Sequence, residues 1–329
     1  MEKIHHKDTK STERHRDTLF ALALSAKARI FSSVKLCVLC VSVVSFLFLV
    51  SGCAKPKPGV GLLTDAVKVN DAGYLYYRQG KWNLAEEKFK QALTINRLID
   101  RQAGIAANLN NLGVIALKLA EFKQAEKYFT EALSILKPLG DPAGLSETLN
   151  NLGALHQAQG QLKEAEKSYQ EAMVYARQAS PGPLEALTLV HLGDVARDRQ
   201  DYVQALSLYD QARQLNVARK DRRGQAVCRE RLGRTYLAMQ NYGAAGVYLQ
   251  EALQEFRRLE DTNGIVETLD SLTRLFLALG DREMARDYGE RAVKIYQARG
   301  QEREAEKVRK LLGRKVEGNG QGKGASSNK

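Results

Sequence analysis

A spacing of 40 residues constrains this chain more than any other feature of its sequence. With Gly113 as a marker, the corresponding places are Gly73, Gly153, Gly193, Gly233, Thr273 and Gly313. Twelve residues after each of the first six come Ala85, Ala125, Ala165, Ala205, Ala245 and Ala285, and seven further on come Ala92, Ala132, Ala172, Ala212, Ala252 and Ala292. Self-similarity at such a period is the signature of stacked repeats. Within each unit the apolar residues recur at helical rather than strand spacing.

Small side chains at fixed places imply helices that cross closely. Gly113 on a first helix and Ala125 on a second would mark the contact within one unit, and Ala132 the contact with the next. Leu109, Leu112, Ile115, Phe122, Tyr128 and Phe129 supply the bulk between them. One unit cannot bury that face alone, so units must stack. Trp82, Phe122, Leu162, Tyr202 and Tyr242 fall at the turn between the two helices, two residues after Gly80, Gly160 and Gly280 where those stop signals are present. Asp141, Asp221 and Asp261 precede the next unit as capping residues. The fifth and sixth units depart from the pattern: Arg229 stands where Leu109, Leu149 and Leu189 stand, and Thr273 and Gly289 replace the usual glycine and aromatic. Looser packing is expected there.

The set Leu112-Gly113, Ala125, Phe129, Ala132, repeated as Leu152-Gly153, Ala165, Tyr169, Ala172 and Leu192-Gly193, Ala205, Tyr209, Ala212, resembles the tetratricopeptide repeat. The resemblance covers about residues 64–313. The 40-residue unit, longer than the usual ~34, is similar to the arrays of kinesin light chains. The fold it implies is all-α: a right-handed α-solenoid of about six helix-turn-helix repeats, near 64–103, 104–143, 144–183, 184–223, 224–263 and 264–300, with a polar capping helix at 301–316. Residues 317–329, EGNGQGKGASSNK, read as a flexible tail.

Upstream, residues 1–35 are polar and basic, and Leu36 to Val50 is an uncharged apolar run. That run is short for a membrane span, which needs ~20 residues, and its flanks are those of a secretory signal. Val50-Ser51-Gly52-Cys53 resembles the bacterial lipobox, which implies that Cys53 is lipidated and becomes the first residue of the mature protein. The alternative is an uncleaved signal anchor. A basic segment of this length is unusual before such a signal, and a start near Val34 would leave residues 1–33 untranslated. Residues 53–63 then form a lipidated linker, and Ala54, rather than aspartate, after the cysteine points to the outer membrane, facing the periplasm.

The formal charge is +12; residues 1–52 hold eight Lys or Arg and four Asp or Glu, which leaves +8 on the mature chain. An excess of basic residues raises a nucleic-acid or anionic-polymer binder as one reading, but much of it lies in the linker, last helix and tail, so no nucleic acid is expected. Of the cysteines, Cys53 and Cys228 remain after cleavage, and Cys228 reads as a buried small apolar residue. GNGQGK at 318–323 lacks the spacing, the following Ser or Thr and the preceding strand of a phosphate loop. His156 and His191 are single residues on different units. No catalytic constellation, cofactor or metal site is expected.

A binding surface remains. In arrays of this kind the first helices line the concave face, so Asn111, Asn151, His191, Arg231 and Ser271, with Val114, Ala154, Asp194, Arg234 and Arg274, point into it. The pairs Asn110-Asn111 and Asn150-Asn151 resemble the asparagines that hold the backbone of an extended peptide in kinesin light chains, since an amide both donates and accepts. With His191, Arg231, Arg234 and Arg274 they form the expected partner-binding set. The groove grades from amide-rich to basic and suggests a partner with an acidic end. Asn70 and Tyr74 do not reproduce the carboxylate clamp of chaperone adaptors. The function implied is a lipid-anchored envelope adaptor that binds a protein or extended peptide. The alternative is a cytoplasmic or signal-anchored regulatory array.

Overall fold

A computed structural model describes residues 58–179 and 182–313, with side chains from residue 61 onward. The signal segment, Cys53, most of the linker and the tail lie outside the described residues. Within them the chain is a right-handed solenoid of helix pairs followed by one more helix. The pairs are α1 (Pro58–Arg78) with α2 (Trp82–Leu98), α3 (Gln102–Lys118) with α4 (Phe122–Leu139), and α5 (Pro142–Ala158) with α6 (Leu162–Ala179). They continue as α7 (Pro183–Asp198) with α8 (Tyr202–Ala218), α9 (Arg222–Ala238) with α10 (Tyr242–Arg258), and α11 (Thr262–Ala278) with α12 (Arg282–Ala298). The closing helix is α13 (Glu302–Gly313). Helix α1 begins at Pro58, ahead of the expected start at residue 64. Proline is well suited to a first helical position, where its missing N–H is not needed.

The backbone repeats at half the sequence period. A left-handed residue ends a helix at Gly80, Asp100, Ala120, Gly140, Gly160, Gln200, Lys220, Gln240, Glu260, Gly280 and Gly300, with φ from 51° at Asp100 to 79° at Gly280. Each is followed by the same closure: Gln161 N–H donates to His156 O at 2.9 Å and Gly160 N–H to Gln157 O at 3.0 Å, as Asn241 does to Tyr236 and Gln240 to Leu237. This is the Schellman arrangement, which satisfies carbonyls that a helix end leaves open. The next helix starts at once. Asp141, Asp201, Asp221, Asn241, Asp261 and Asp281 accept from backbone N–H groups of the first turn they precede. Trp82, Phe122, Leu162, Tyr202 and Tyr242 are the first residues of second helices.

The marker glycines have a steric cause. A Cβ on Gly73, Gly113, Gly153 or Gly193 would stand 2.4 to 2.6 Å from a ring carbon of Phe89, Phe129, Tyr169 or Tyr209, and on Gly233 it would stand 2.7 Å from Leu249. The bulky residue of the second helix presses against the backbone of the first at its glycine. In the sixth unit the same two places hold Thr273 on the first helix and Gly289 on the second, and both are buried. Leu312 of α13 covers Gly289, where a Cβ would come within 2.9 Å of it. The looseness expected from Thr273 and Gly289 is therefore not seen at either place: Thr273 is fully buried, and Leu312 fills the space over Gly289.

All the repeated alanines, Ala85 through Ala285 and Ala92 through Ala292, are fully buried. Ala132 shares a buried cluster with Ile105, Leu109 and Leu112 of α3 and with Phe89 and Leu93 of α2. Ala292 shares one with Leu249, Leu253 and Leu269, and Ala212 shares one with Cys228 and Leu232 of the next unit. Each first helix thus sits between its own second helix and that of the unit before.

Candidate partner-binding face

First helices of successive units also touch one another, α3 with α5, α5 with α7, α7 with α9 and α9 with α11. Their shared face carries a ladder of polar side chains. At its start Asn108 donates to Asn70 at 2.9 Å, Asn96 donates to Asn108 at 2.7 Å, and Tyr74 donates to Asn111 at 3.1 Å. Asn151 donates to Asn110 Oδ1 at 2.9 Å, joining units two and three. Asn150 donates to Thr188 at 2.9 Å and to the carbonyl of Ser146 at 3.0 Å, joining three and four.

These bonds sort the four asparagines. Asn150 is buried between α5 and α7, where its Nδ2 is committed to Thr188 and to the Ser146 carbonyl of its own helix, and its Oδ1 is closed off from solvent. Asn110, Asn111 and Asn151 are half-buried. The Asn151–Asn110 bond uses one half of each amide, and Asn110 Nδ2 and Asn151 Oδ1 have no partner among the described residues. One donor and one acceptor are thus presented by adjacent units.

The ladder turns ionic in units four to six. Asp194 is buried and accepts from Arg197 at 2.7 Å and from the hydroxyl of Tyr209 at 2.9 Å, with Arg231 Nε 3.3 Å from its other oxygen. Arg231 also pairs with the buried Glu230, which accepts from Ser271 at 3.1 Å. Burial alone would push the Asp194 carboxyl up, but Arg231 and Arg197 outweigh it and hold it below its ordinary value. Burial likewise works against the charge of Arg231, yet Asp194 and Glu230 hold its guanidinium well above the usual range. His191 stacks on Tyr169 with ring centroids 5.1 Å apart, and burial lowers its pKa to about 4, so the ring is neutral near pH 7.

The basic end read from the sequence is therefore neutralised. Arg231 pairs with Asp194 and Glu230, Arg234 lies 3.7 Å from Glu230, and Arg274 lies 3.0 Å from Asp270. The carboxylates stand next to the arginines in sequence, one helical turn away or one unit away, and an alignment of single positions does not bring them together. Cys228 is fully buried, accepts a weak hydrogen bond from Asn216, and is pushed up to about 11 by burial. His156 meets Ser168 at 3.2 Å.

A stack of helix pairs with a continuous face of first helices, polar and partly exposed, defines a helical-repeat module for protein–protein interaction. The chain belongs to the tetratricopeptide repeat family, whose profile matches residues 64–137, 144–216, 184–254 and 225–298. No curated protein matches the sequence. Among solved structures, the chain is similar to the Rap conjugation gene regulator of plasmid pLS20 in complex with the Phr* peptide, at 17% identity and TM-score 0.62 over 78% of this chain and 67% of that one. It is similar to the apo form of RapI at 15% identity and TM-score 0.59, over 71% and 83% of the two chains. BtubC from P. vanneervenii matches at 20% identity and TM-score 0.50, over 68% and 91%. At these identities the likeness concerns the fold.

Proposed function

We propose that this protein is a lipid-anchored adaptor of the bacterial envelope that holds an extended segment of a partner protein on the face of its first helices. The observation that carries the binding reading is the open half-amide on each of Asn110 and Asn151. A peptide group offers one N–H and one C=O, and Asn151 Oδ1 and Asn110 Nδ2 are their complements. Asn111 adds a third half-buried amide, and His191 extends the surface as a neutral ring. The neutralised arginines argue for recognition of backbone and shape rather than of an acidic terminus, and they remove the motive for an anionic-polymer binder. No catalytic group is invoked.

The anchor rests on Val50-Ser51-Gly52-Cys53 and the apolar run before it. Palmitate labelling of the protein in its host should vanish in Cys53→Ser; labelling indifferent to that change refutes the anchor. For the binding face, a photo-crosslinker at Asn151 in intact cells should capture a discrete partner, whereas one at Lys167 on α6 should not. Equal capture from both sites defeats the reading.

A further inference from the structure

The last unit of the array lies against the first. Arg299, capping α12, donates Nη2 to the carbonyl of Arg78 at the end of α1, 3.2 Å away and 221 residues earlier in the chain. Its Nη1 donates to Asn263 Oδ1 at 2.6 Å, which fixes the plane of the guanidinium. Beside it the amide of Gln301 covers Gly80, where a Cβ would stand 2.5 Å from Gln301 Nε2. Glycine is needed there twice, for that approach and for its φ of 74°. The carbonyls at the end of α1 carry the negative pole of the helix, and a guanidinium is their natural complement.

Trp82 and Leu119, from units one and two, and Val266 and Tyr296, from unit six, line one cavity of about 460 Å³ behind this contact. Six units therefore complete a superhelical turn, and the seam closes its side. On later first helices the residue in one register is buried: Ile115 and Leu155 fully, and Val195, Thr235 and Leu275 at 2% exposure or less. The residue in the same register on α1 is Leu75, half exposed at 50%. The seam is held instead by polar contacts at the surface, which exchange readily with water.

We propose that this seam is a gate: Arg299 latches unit six onto unit one, and the latch parts to admit an extended polypeptide segment sideways to the inner face. What passes the gate rests on the peptide reading above; the gate itself rests on the geometry of the seam. A folded domain would be excluded while the latch is shut.

The test is a distance measurement by pulsed electron paramagnetic resonance on the full chain. Spin labels are coupled to unnatural amino acids at Gln79 and Arg303, both exposed and on opposite sides of the seam. The unaltered seam should give a dominant short distance. Arg299→Ala should add a population longer by roughly 10 Å, the thickness of an extended segment with its side chains, and adding Gln301→Ala should enlarge it. Arg299→Lys, which keeps the charge and loses the fork, should fall between. A distribution unchanged by Arg299→Ala, or a chain with no short distance at the outset, overturns the gate. Neither result depends on a ligand, so crosslinking from Asn151 still decides the peptide reading.

Discussion

Replacing Gly153 by alanine tests the contact on which the whole array is built. A Cβ there would lie 2.5, 2.7 and 2.9 Å from three ring carbons of Tyr169. The ring cannot slide away freely: it is fully buried, its hydroxyl donates to Gln157 at 3.1 Å, and its far face stacks on His191. Overpacking of this kind costs about 1–3 kcal/mol, while alanine in a helix interior recovers about 1 kcal/mol relative to glycine. The control is Gly246, where the nearest atom to a new Cβ is Leu275 Cδ2 at 3.6 Å, an ordinary contact. Both variants share the propensity gain, so the difference between them isolates the clash. In urea titrations followed by helical circular dichroism, Gly246→Ala should be stabilised and Gly153→Ala should lie about 1–3 kcal/mol below it. The pair Gly153→Thr and Tyr169→Gly gives unit three the residues that unit six holds in the same register, Thr273 and Gly289. Leu192, which packs on the Tyr169 cluster, stands where Leu312 stands over Gly289. The double variant should be less destabilised than the sum of the singles. If Gly153→Ala matches Gly246→Ala in stability, or the double variant is merely additive, the steric account of the marker glycines fails.

Gln200→Gly and Gln240→Gly, at φ of 66° and 60°, should each raise the unfolding free energy by about 0.5–1 kcal/mol, since relief of left-handed strain exceeds the entropy glycine adds to the unfolded chain; a lower unfolding free energy would show that the Schellman turns are unstrained. Asp194→Asn should cost about 3 kcal/mol, because Arg197 and Arg231 lose their shared counter-charge, whereas Arg274→Ala, which breaks an exposed pair, should change stability by less than about 0.5 kcal/mol. His191 has a folded pKa of about 4 against an ordinary 6.5, so the unfolded state takes up the proton first. Stability should fall as pH drops from 6.5 toward 4, with a slope approaching ~1.4 kcal/mol per pH unit, and His191→Phe, which keeps a ring on Tyr169, should flatten that slope. Below the ordinary aspartate range, the depressed pKa of Asp194 adds a further loss. A native-state assay with a thiol reagent should find Cys228 inert until the chain unfolds.

The sequence by itself determined the repeat, its family and its core. Glycine under an aromatic ring and alanine at a helix crossing are demands of backbone approach, and such demands recur wherever the same approach recurs. They were legible because they fall at one spacing, as at Gly113, Ala125 and Ala132. The half-period of the backbone was harder to see, since residues as different as Asp100, Ala120 and Gln240 adopt the same left-handed turn under the constraint of the helices on either side. Thr273 and Gly289 read as decay because each breaks the pattern, and the side chain that covers Gly289, Leu312, comes from the closing helix rather than from its own unit.

The binding face was decided by tertiary structure. Asn150 and Asn151 are neighbours in sequence, yet a rotation of about 100° per helical residue buries one against Thr188 and leaves the other half of an amide open. Arg231 looked like a source of positive charge until the stack placed Asp194, from the unit before, and Glu230 around it. Arg299 and Arg78 are separated by nearly the whole array, and no local pattern could pair them. Spacing along a chain reports contacts that repeat from unit to unit; the contacts that occur once, in the charge cluster and at the seam, depend on how the units are summed.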